Sequence, residues 1–498
     1  MADQAGLPLD SRNQPASPRP LAELLYLAAP TVAQMASYTL MQFIDTWILA
    51  HAGGSVLPPT AAANAGMLAF AAISMGMGVM FIVNTLVSQS FGRKDPASCG
   101  RFLWQGIWFA VGFAILLLPL IPFAPGVFRS FGHEAPLAKL EGTYLRIVLA
   151  ASVLKLAATA IEQFFLGVNR PMTVAVATMT GVGVNAVVAW IIVMGRLGFH
   201  PMGVAGAAMA QNIGVGVELG VMVLFTLIGP VKREFHRGDW RLRTNEMLTL
   251  LKVGIPSGFQ IIADVLAWSA FTMWVMAVFH TTAMAANIFV FRYMSVSFMP
   301  AFGISVAVTA LVGRYIGMGR TDIAIRRAHL GFVVTAVYMA ACGAALFIFR
   351  RQLIGLFTSD PRVLAIGARL LIFAAIYQLF DAMYIVYNGA LRGAGDTLIP
   401  AVATGVLCWG VTVLGGYTVA RLWPEFGPAG PWTAATTYGA ILGIFMVRRF
   451  THGGWKRIHL EREASQSLKD SAKLSVVSGP LSVVKGSAPH HGQRATDK

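Results

Sequence analysis

Apolar residues along this chain fall in long, nearly unbroken runs, not in the short alternating or one-sided patterns of soluble strands and helices. About 20 consecutive apolar residues cross a bilayer's hydrocarbon core as a helix. Runs of that kind recur twelve times, at 23–50, 61–91, 103–123, 141–166, 172–195, 203–229, 249–279, 283–312, 328–349, 363–390, 400–420 and 431–449. Several exceed the minimum length, which predicts tilt or helix ends projecting past the bilayer. Gly53-Gly54, Asn169-Arg170-Pro171 and Gly453-Gly454 punctuate the pattern as turns. The pattern predicts an all-α polytopic membrane protein with twelve transmembrane helices.

The two halves of the pattern match each other. Pro30 and Gln34 answer Pro256 and Gln260, 226 residues on. Val87, Gln89 and Gly92 answer Val312, Arg314 and Gly317, 225 residues on. Gly203, Ala205, Gly206 and Ala210 answer Gly427, Ala429, Gly430 and Ala434 at 224. Single matches among glycine and alanine say little, but three in order at nearly one offset define a repeat. The unit is six spans, an even number, so both copies insert with the same orientation. Two six-helix bundles related by a parallel internal repeat are a common build of secondary transporters.

Composition agrees. Of 498 residues, 56% are hydrophobic and only 12% charged, about half the usual charged share. So few charges exclude a large soluble protein, a disordered chain and a coiled coil. The net charge of +16 fits the excess of Lys and Arg on cytoplasmic loops better than nucleic-acid binding, for which no basic-aromatic motif is present. With the N-terminus inside, the internal loops hold Arg93, Lys94, Arg101, Arg170, Lys232, Arg233, Arg237, Arg241, Arg243, Lys252, Arg314, Arg320, Arg326, Arg327 and Arg392. The opposite loops hold fewer: Arg129, Lys139, Arg196, Arg350, Arg351, Arg362 and Arg421. Both termini are therefore expected in the cytoplasm of a multi-pass cell (inner) membrane protein. The expected layout is a cytoplasmic segment at 1–22, an N-lobe at 23–229, a cytoplasmic linker at 230–248, a C-lobe at 249–450 and a disordered basic tail at 451–498.

Ionisable groups inside the hydrocarbon cost roughly 3 kcal/mol or more unless paired or hydrated. Past the first residue of each span, five acids fall inside: Asp45, Glu162, Glu218, Asp264 and Asp381, with Lys155 and Arg292 as the deep bases. Asp45 closes a polar stripe with Gln34, Tyr38 and Gln42 at helical spacing. It serves either an ion pathway or a structural hydrogen-bond network. Asp264 shares a helix face with Gln260 and Trp268, where a carboxylate beside an indole suits an organic cation. Asp381 shares a face with Tyr377 and Tyr384, and desolvation favours the neutral form of a carboxyl group, as proton coupling requires. Glu162 reads as reaching the cytoplasmic interface, and Glu218 is open. Lys155 suits pairing with an acid of another helix, and Arg292 suits a structural ion pair. Cys99, Cys342 and Cys408 form no metal or redox motif. No catalytic triad, H-E-x-x-H or P-loop is present, which argues against an enzyme.

At these residues the chain resembles the multidrug and toxic compound extrusion (MATE) family of secondary transporters, over roughly 23–450. Pro30, Gln34 and Asp45-Thr46 look like the family's opening helix, and VSQSFGRKD at 87–95 like the end of its second. Asp381 followed by Asn388-Gly389-Ala390-Leu391-Arg392-Gly393 is the most specific match. The resemblance implies an antiporter driven by H⁺ or Na⁺, with no other cofactor, that exports organic cations and other amphipathic drugs. It implies cation binding, Na⁺ included, at Asp264 and Asp381, with Asp45 as a coupling or substrate position. Gln34, Gln260, Trp268, Arg292, Tyr377 and Tyr384 would then line the cleft. Asp264 stands where NorM-like members carry Glu. Asn185 is followed four residues later by Ala189, not by the Asp of the archaeal branch, which tilts the resemblance toward the NorM-like arrangement. A flippase for lipid-linked or polysaccharide precursors is the nearest alternative, but it calls for a more basic cleft. An integral membrane enzyme is the alternative from another class. The expected partners are a small cationic or amphipathic molecule and the lipid bilayer, with no nucleic acid and a monomeric chain.

Overall fold

The computed structural model describes residues 19–52, 57–228, 235 and 240–458. Most of the expected N-terminal segment, linker and tail, and the Gly53-Gly54 turn, lie outside the described residues. The helices are α1 (Pro20–His51), α2 (Leu57–Gly92), α3 (Pro96–Leu117), α4 (Ala124–Ser130), α5 (Ala135–Ala150), α6 (Ser152–Gly167), α7 (Pro171–Met194) and α8 (Gly203–Ile228). There follow α9 (Thr244–Ala270), α10 (His280–Gly317), α11 (Thr321–Ile348), α12 (Arg350–Gly355), α13 (Pro361–Ala394), α14 (Leu398–Leu407), α15 (Gly416–Leu422) and α16 (Ala429–His452). No strand occurs among the described residues. In hydrocarbon a helix is the one open segment that satisfies its own backbone groups.

Eight helical segments are long and apolar enough to span a bilayer, and α5 with α6, bent by 48°, makes a ninth. One of the eight, Thr244–Gly317, is two spans. The chain folds back at His280, whose φ is +69°, so that Asn287 donates to Thr272 at 3.1 Å. A continuous helix would hold these residues about 22 Å apart. Helices α1 and α16 are as long as spans but more polar, and with them the described residues supply twelve.

The helices run beyond the apolar stretches because local caps, not hydropathy, end them. Asp95 accepts the Ser98 amide at 3.0 Å ahead of α3, and Asp360 accepts the Arg362 amide at 2.8 Å ahead of α13; Pro opens both helices. Asn169 takes φ +63° and Pro171 starts α7. At the far end, α16 is capped by Gly453 at φ +78°. Trp455 is 1% exposed and stacks on Phe450 at 5.2 Å. The packed fold therefore runs to the end of the described residues, past 450 where the pattern placed the start of a tail.

The repeat extends to features with no sequence match. Lys94 and Gly319 both have positive φ, as do Asn169 and Gly395. The short helices α4 and α12 begin 226 residues apart. The bundles meet along a pseudo-two-fold axis. A Cβ on Gly92 would collide with the Arg314 carbonyl, and one on its counterpart Gly317 with the Gln89 carbonyl. A Cβ on Gly78 would strike Gly258, while one on Gly303 would lie 3.0 Å from the Val32 nitrogen. Backbones this close need glycine. The hydrogen bonds between bundles add to this contact: Thr85 and Gln89 donate to the carbonyls of Arg392 and Gly393 at 2.9 Å, and Thr31 to that of Gly303 at 3.0 Å. Glu23 takes Arg327 at 2.8 Å and Tyr315 at 2.7 Å. All lie toward the end where α1 and α9 begin and α2 and α10 finish, so the bundles are clasped there.

Gly92→Ala or Gly317→Ala should lower the melting temperature in detergent, at a cost of about 1–3 kcal/mol for forcing two backbones apart. Gly112→Ala, with nothing near its Cβ position, is the control and should melt no lower than the parent; equal melting of all three would refute the close contact.

Candidate functional site

The carboxy-terminal bundle gathers the expected acids. Asp264 projects from α9. The Tyr438 hydroxyl on α16 donates to its Oδ1 at 3.3 Å, and the Cys408 thiol lies 3.6 Å from the same oxygen. Asp381 on α13 is 6% exposed. The Asp264 charge acts on it, and both carboxylates act on Tyr377 and Tyr384. Trp268, one turn beyond Asp264, is walled edge-to-face by Phe271, Phe291, Tyr377 and Tyr438 with ring centroids 5.3–6.3 Å apart. Two carboxylates thus share a space lined by phenols and an indole, an arrangement that attracts a cation by charge and by ring faces.

Gln260, one helical turn before Asp264, anchors the side of this cluster toward the start of α9. Its Nε2 lies 2.9 Å from Thr404, 3.3 Å from Asn388 and 3.4 Å from Tyr384. The spans that carry Asp264 and Cys408 both depart from α geometry. Phe271–Val275 and Cys408–Gly415 are π-helical turns, a deviation that recurs at functional sites. The π segment that follows α14 begins at Cys408 itself, the residue facing Asp264.

In the amino-terminal bundle the polar stripe of α1 divides. Asp45 receives Asn185 Nδ2 from α7 at 2.9 Å. Tyr38 donates to Glu218 on α8 at 2.7 Å. Gln34 is fully buried, whereas Gln42 is exposed. Glu162 does not reach an interface: it is 4% exposed, and Gln163 donates to it at 3.1 Å. The helix α6 packs against α2, α3 and α8, so a position near its end still lies among neighbours. Among the described residues Lys155 makes no ion pair with an acid of another helix; its ammonium stands 4.1 Å over the Tyr38 ring. Arg292 is exposed on α10 and forms no ion pair among the described residues.

Sequence reasoning overlooked several partners. Tyr438 and Cys408 carry no motif, and their role comes only from packing across helices. Glu141, 0% exposed, was hidden because the apolar run was begun at that residue; α5 in fact starts at Ala135. It takes Asn64 at 2.8 Å and His133 at 2.8 Å. The polar residues His133, Glu134 and Lys139 just ahead of it were the available signal. Among the described residues no three His, Cys, Asp or Glu side chains gather as metal ligands.

Two repeated six-helix bundles, each with carboxylates buried among spans, define a membrane transporter. The chain belongs to the MatE family, whose model matches it twice, at residues 30–191 and 256–418, the two halves of the repeat. The probable multidrug resistance protein NorM of Mesorhizobium japonicum is 26% identical over 86% of this chain and 92% of its own length. That of Rhizobium meliloti is 27% identical over 89% and 94%. Among solved structures, an outward-facing multidrug resistance MATE family transporter of the MOP superfamily superposes with a TM-score of 0.79 at 18% identity, over 88% of this chain and 97% of its own. The eukaryotic MATE transporter AtDTX14 gives 0.78 at 19%, over 90% and 99%. These structures share the fold, and the NorM relatives agree with the NorM-like resemblance of the sequence.

The two repeat-related glutamines should respond unequally. Gln260→Leu leaves Asn388 and Thr404 without their donor and should destabilise the protein by about 1–3 kcal/mol. Gln34, which engages Tyr38 and Glu162 without a hydrogen bond of full geometry, should lose less when changed to leucine. Thermal melts of the two variants in detergent compare them directly; a larger loss for Gln34→Leu would contradict this geometry.

Proposed function

We propose that the chain is a cation-coupled antiporter, driven by H⁺ or Na⁺, that exports organic cations and other amphipathic drugs across the cell membrane. The observation that carries the reading is the pairing of Asp264 with Asp381 inside a wall of Trp268, Tyr377, Tyr384 and Tyr438. The names of the NorM relatives support it. Asp264 and Asp381 bind the coupling cation, Asp45 serves the amino-terminal half, and the aromatic wall meets the substrate. The lobes at 23–229 and 249–450 rock about the glycine contact, within a monomer whose termini face the cytoplasm. Coupling needs the cation and the substrate to favour different states, because a ligand shifts such an equilibrium only through its differential affinity.

Purified protein in liposomes, loaded with a cationic dye and given a pH or a Na⁺ gradient in turn, tests the reading. One gradient should drive dye export, and Asp381→Asn should abolish at least about nine-tenths of it, equivalent to about 1.4 kcal/mol, while still inserting as a monodisperse protein. Dye movement that ignores both gradients, or that survives in Asp381→Asn, would overturn it.

A further inference from the structure

Helix α13 carries a polar stripe of which the antiport reading uses only the first half. Tyr377, Asp381, Tyr384, Asn388 and Arg392 recur at steps of three or four, so they share one face. Arg392, which the apolar pattern placed in a loop, lies two residues short of the end of α13 and is only 5% exposed. Gly389 and Gly393 press a neighbouring side of the helix onto α10. There the Thr309 hydroxyl donates to the Gly389 carbonyl at 2.9 Å, and a Cβ on Gly393 would strike the Thr309 carbonyl. Arg392 is thereby turned toward α2, and its guanidinium stands 5.4 Å over the Phe81 ring.

Arg392 and Asn388 are buried donors without acceptors. Among the described residues the guanidinium makes no hydrogen bond and no ion pair, and its contact is the face of Phe81. Asp396, one turn further along the chain, takes Arg449 instead, at 2.8 Å. Asn388 is 7% exposed. Its Oδ1 accepts Gln260 at 3.3 Å, while its Nδ2 donates to nothing among the described residues. Helical side chains lean toward the start of their helix, so Arg392 reaches back past Asn388, and its charge acts on Tyr384. A buried guanidinium without a counterion is costly. Its fork of N–H donors, beside an open amide N–H₂, matches the two oxygens of a carboxylate.

We propose that Arg392 and Asn388 form a carboxylate subsite, which reads the acidic end of zwitterionic amphipathic substrates. The proposal rests on the antiport reading, which supplies the site of the cationic end at Asp264, Asp381 and the aromatic wall. Arg392 and Asp381 lie eleven residues apart, about 16 Å along the helix axis. The backward lean of the arginine brings the two charges to about 10 Å from each other. A zwitterion of that span is matched at both ends. A simple anion meets the repulsion of the acids, and a simple cation gains nothing from Arg392. The guanidinium therefore sets the preference between a substrate with a free carboxylate and the same molecule as an ester.

A rhodamine with a free carboxyl group and its methyl ester differ only at the proposed anchor. Their dissociation constants for the full-length protein in detergent, at neutral pH, are measured by fluorescence polarisation. The parent should bind the acid at least as tightly as the ester. Arg392→Gln should weaken the acid at least about tenfold relative to the ester, and Arg392→Lys, which keeps the charge but not the fork, should fall between. Asn388→Asp sets a carboxylate beside the guanidinium, fills the subsite from within, and should discriminate against the acid by a similar factor. It carries the test should the glutamine variant fail to fold. A purely structural arginine would move both dyes together. Equal effects on acid and ester in Arg392→Gln and Asn388→Asp, or a parent that binds the ester but not the acid, would overturn the subsite. Asp381→Asn should weaken both dyes; ester binding that ignores it counts against the antiport reading, and the acid-to-ester ratio in Arg392→Gln still decides the subsite. A parent that binds neither dye overturns both.

Discussion

Hydrocarbon supplies no hydrogen-bond partners, and that absence shapes this molecule at every level. Backbone groups must pair within their own segment, so the chain has no choice but helices. Side chains obey the same rule. Asp45 finds Asn185, Glu218 finds Tyr38 and Thr178, Asp264 finds Tyr438, and Glu141 finds Asn64 and His133. Each pair joins different segments, so satisfying the polar groups also fixes which spans are neighbours. The polar residues are too few to drive folding by themselves, but each penalises arrangements that separate it from its partner.

Between apolar helices in lipid, close packing takes over from the hydrophobic effect. Glycines at 78, 92, 258, 303 and 317 let the two bundles touch backbone to backbone. Gly92 with Arg314 and Gly317 with Gln89 are one contact seen twice, related by the repeat. The smallest residues form this joint, while the long side chains of Arg327 and Glu23 bridge the bundles beside it. The bundles carry different chemistry on this common frame. Gln260 donates to Thr404 on α14, whereas its repeat partner Gln34 engages Tyr38 and Glu162.

Much of the carboxy-terminal site was legible before the structure. Gln260, Asp264 and Trp268 do share a face, as do Tyr377, Asp381 and Tyr384, because helical spacing is a local property. The aromatic wall was only half visible: Tyr438 and Cys408 come from other spans, and nothing in their neighbourhoods marks them. In the amino-terminal bundle, distance from a span end misled for Glu162, which packs among α2, α3 and α8 instead of reaching water. The 48° bend between α5 and α6 and the π-helical turns at Phe271 and Cys408 leave no hydropathy signal, since a bent or overwound helix has the same apolar composition as a straight one.

The sequence by itself determined the helical class, the twelve spans and the parallel repeat. These follow from run length, from offset and from the parity of six, all of which are properties read along one dimension. Only the tertiary structure decided which acids meet, which bases they face and what each repeat-related glutamine touches. Those outcomes depend on rotation of each helix about its axis and on contacts between residues more than a hundred positions apart, and neither is encoded in local spacing.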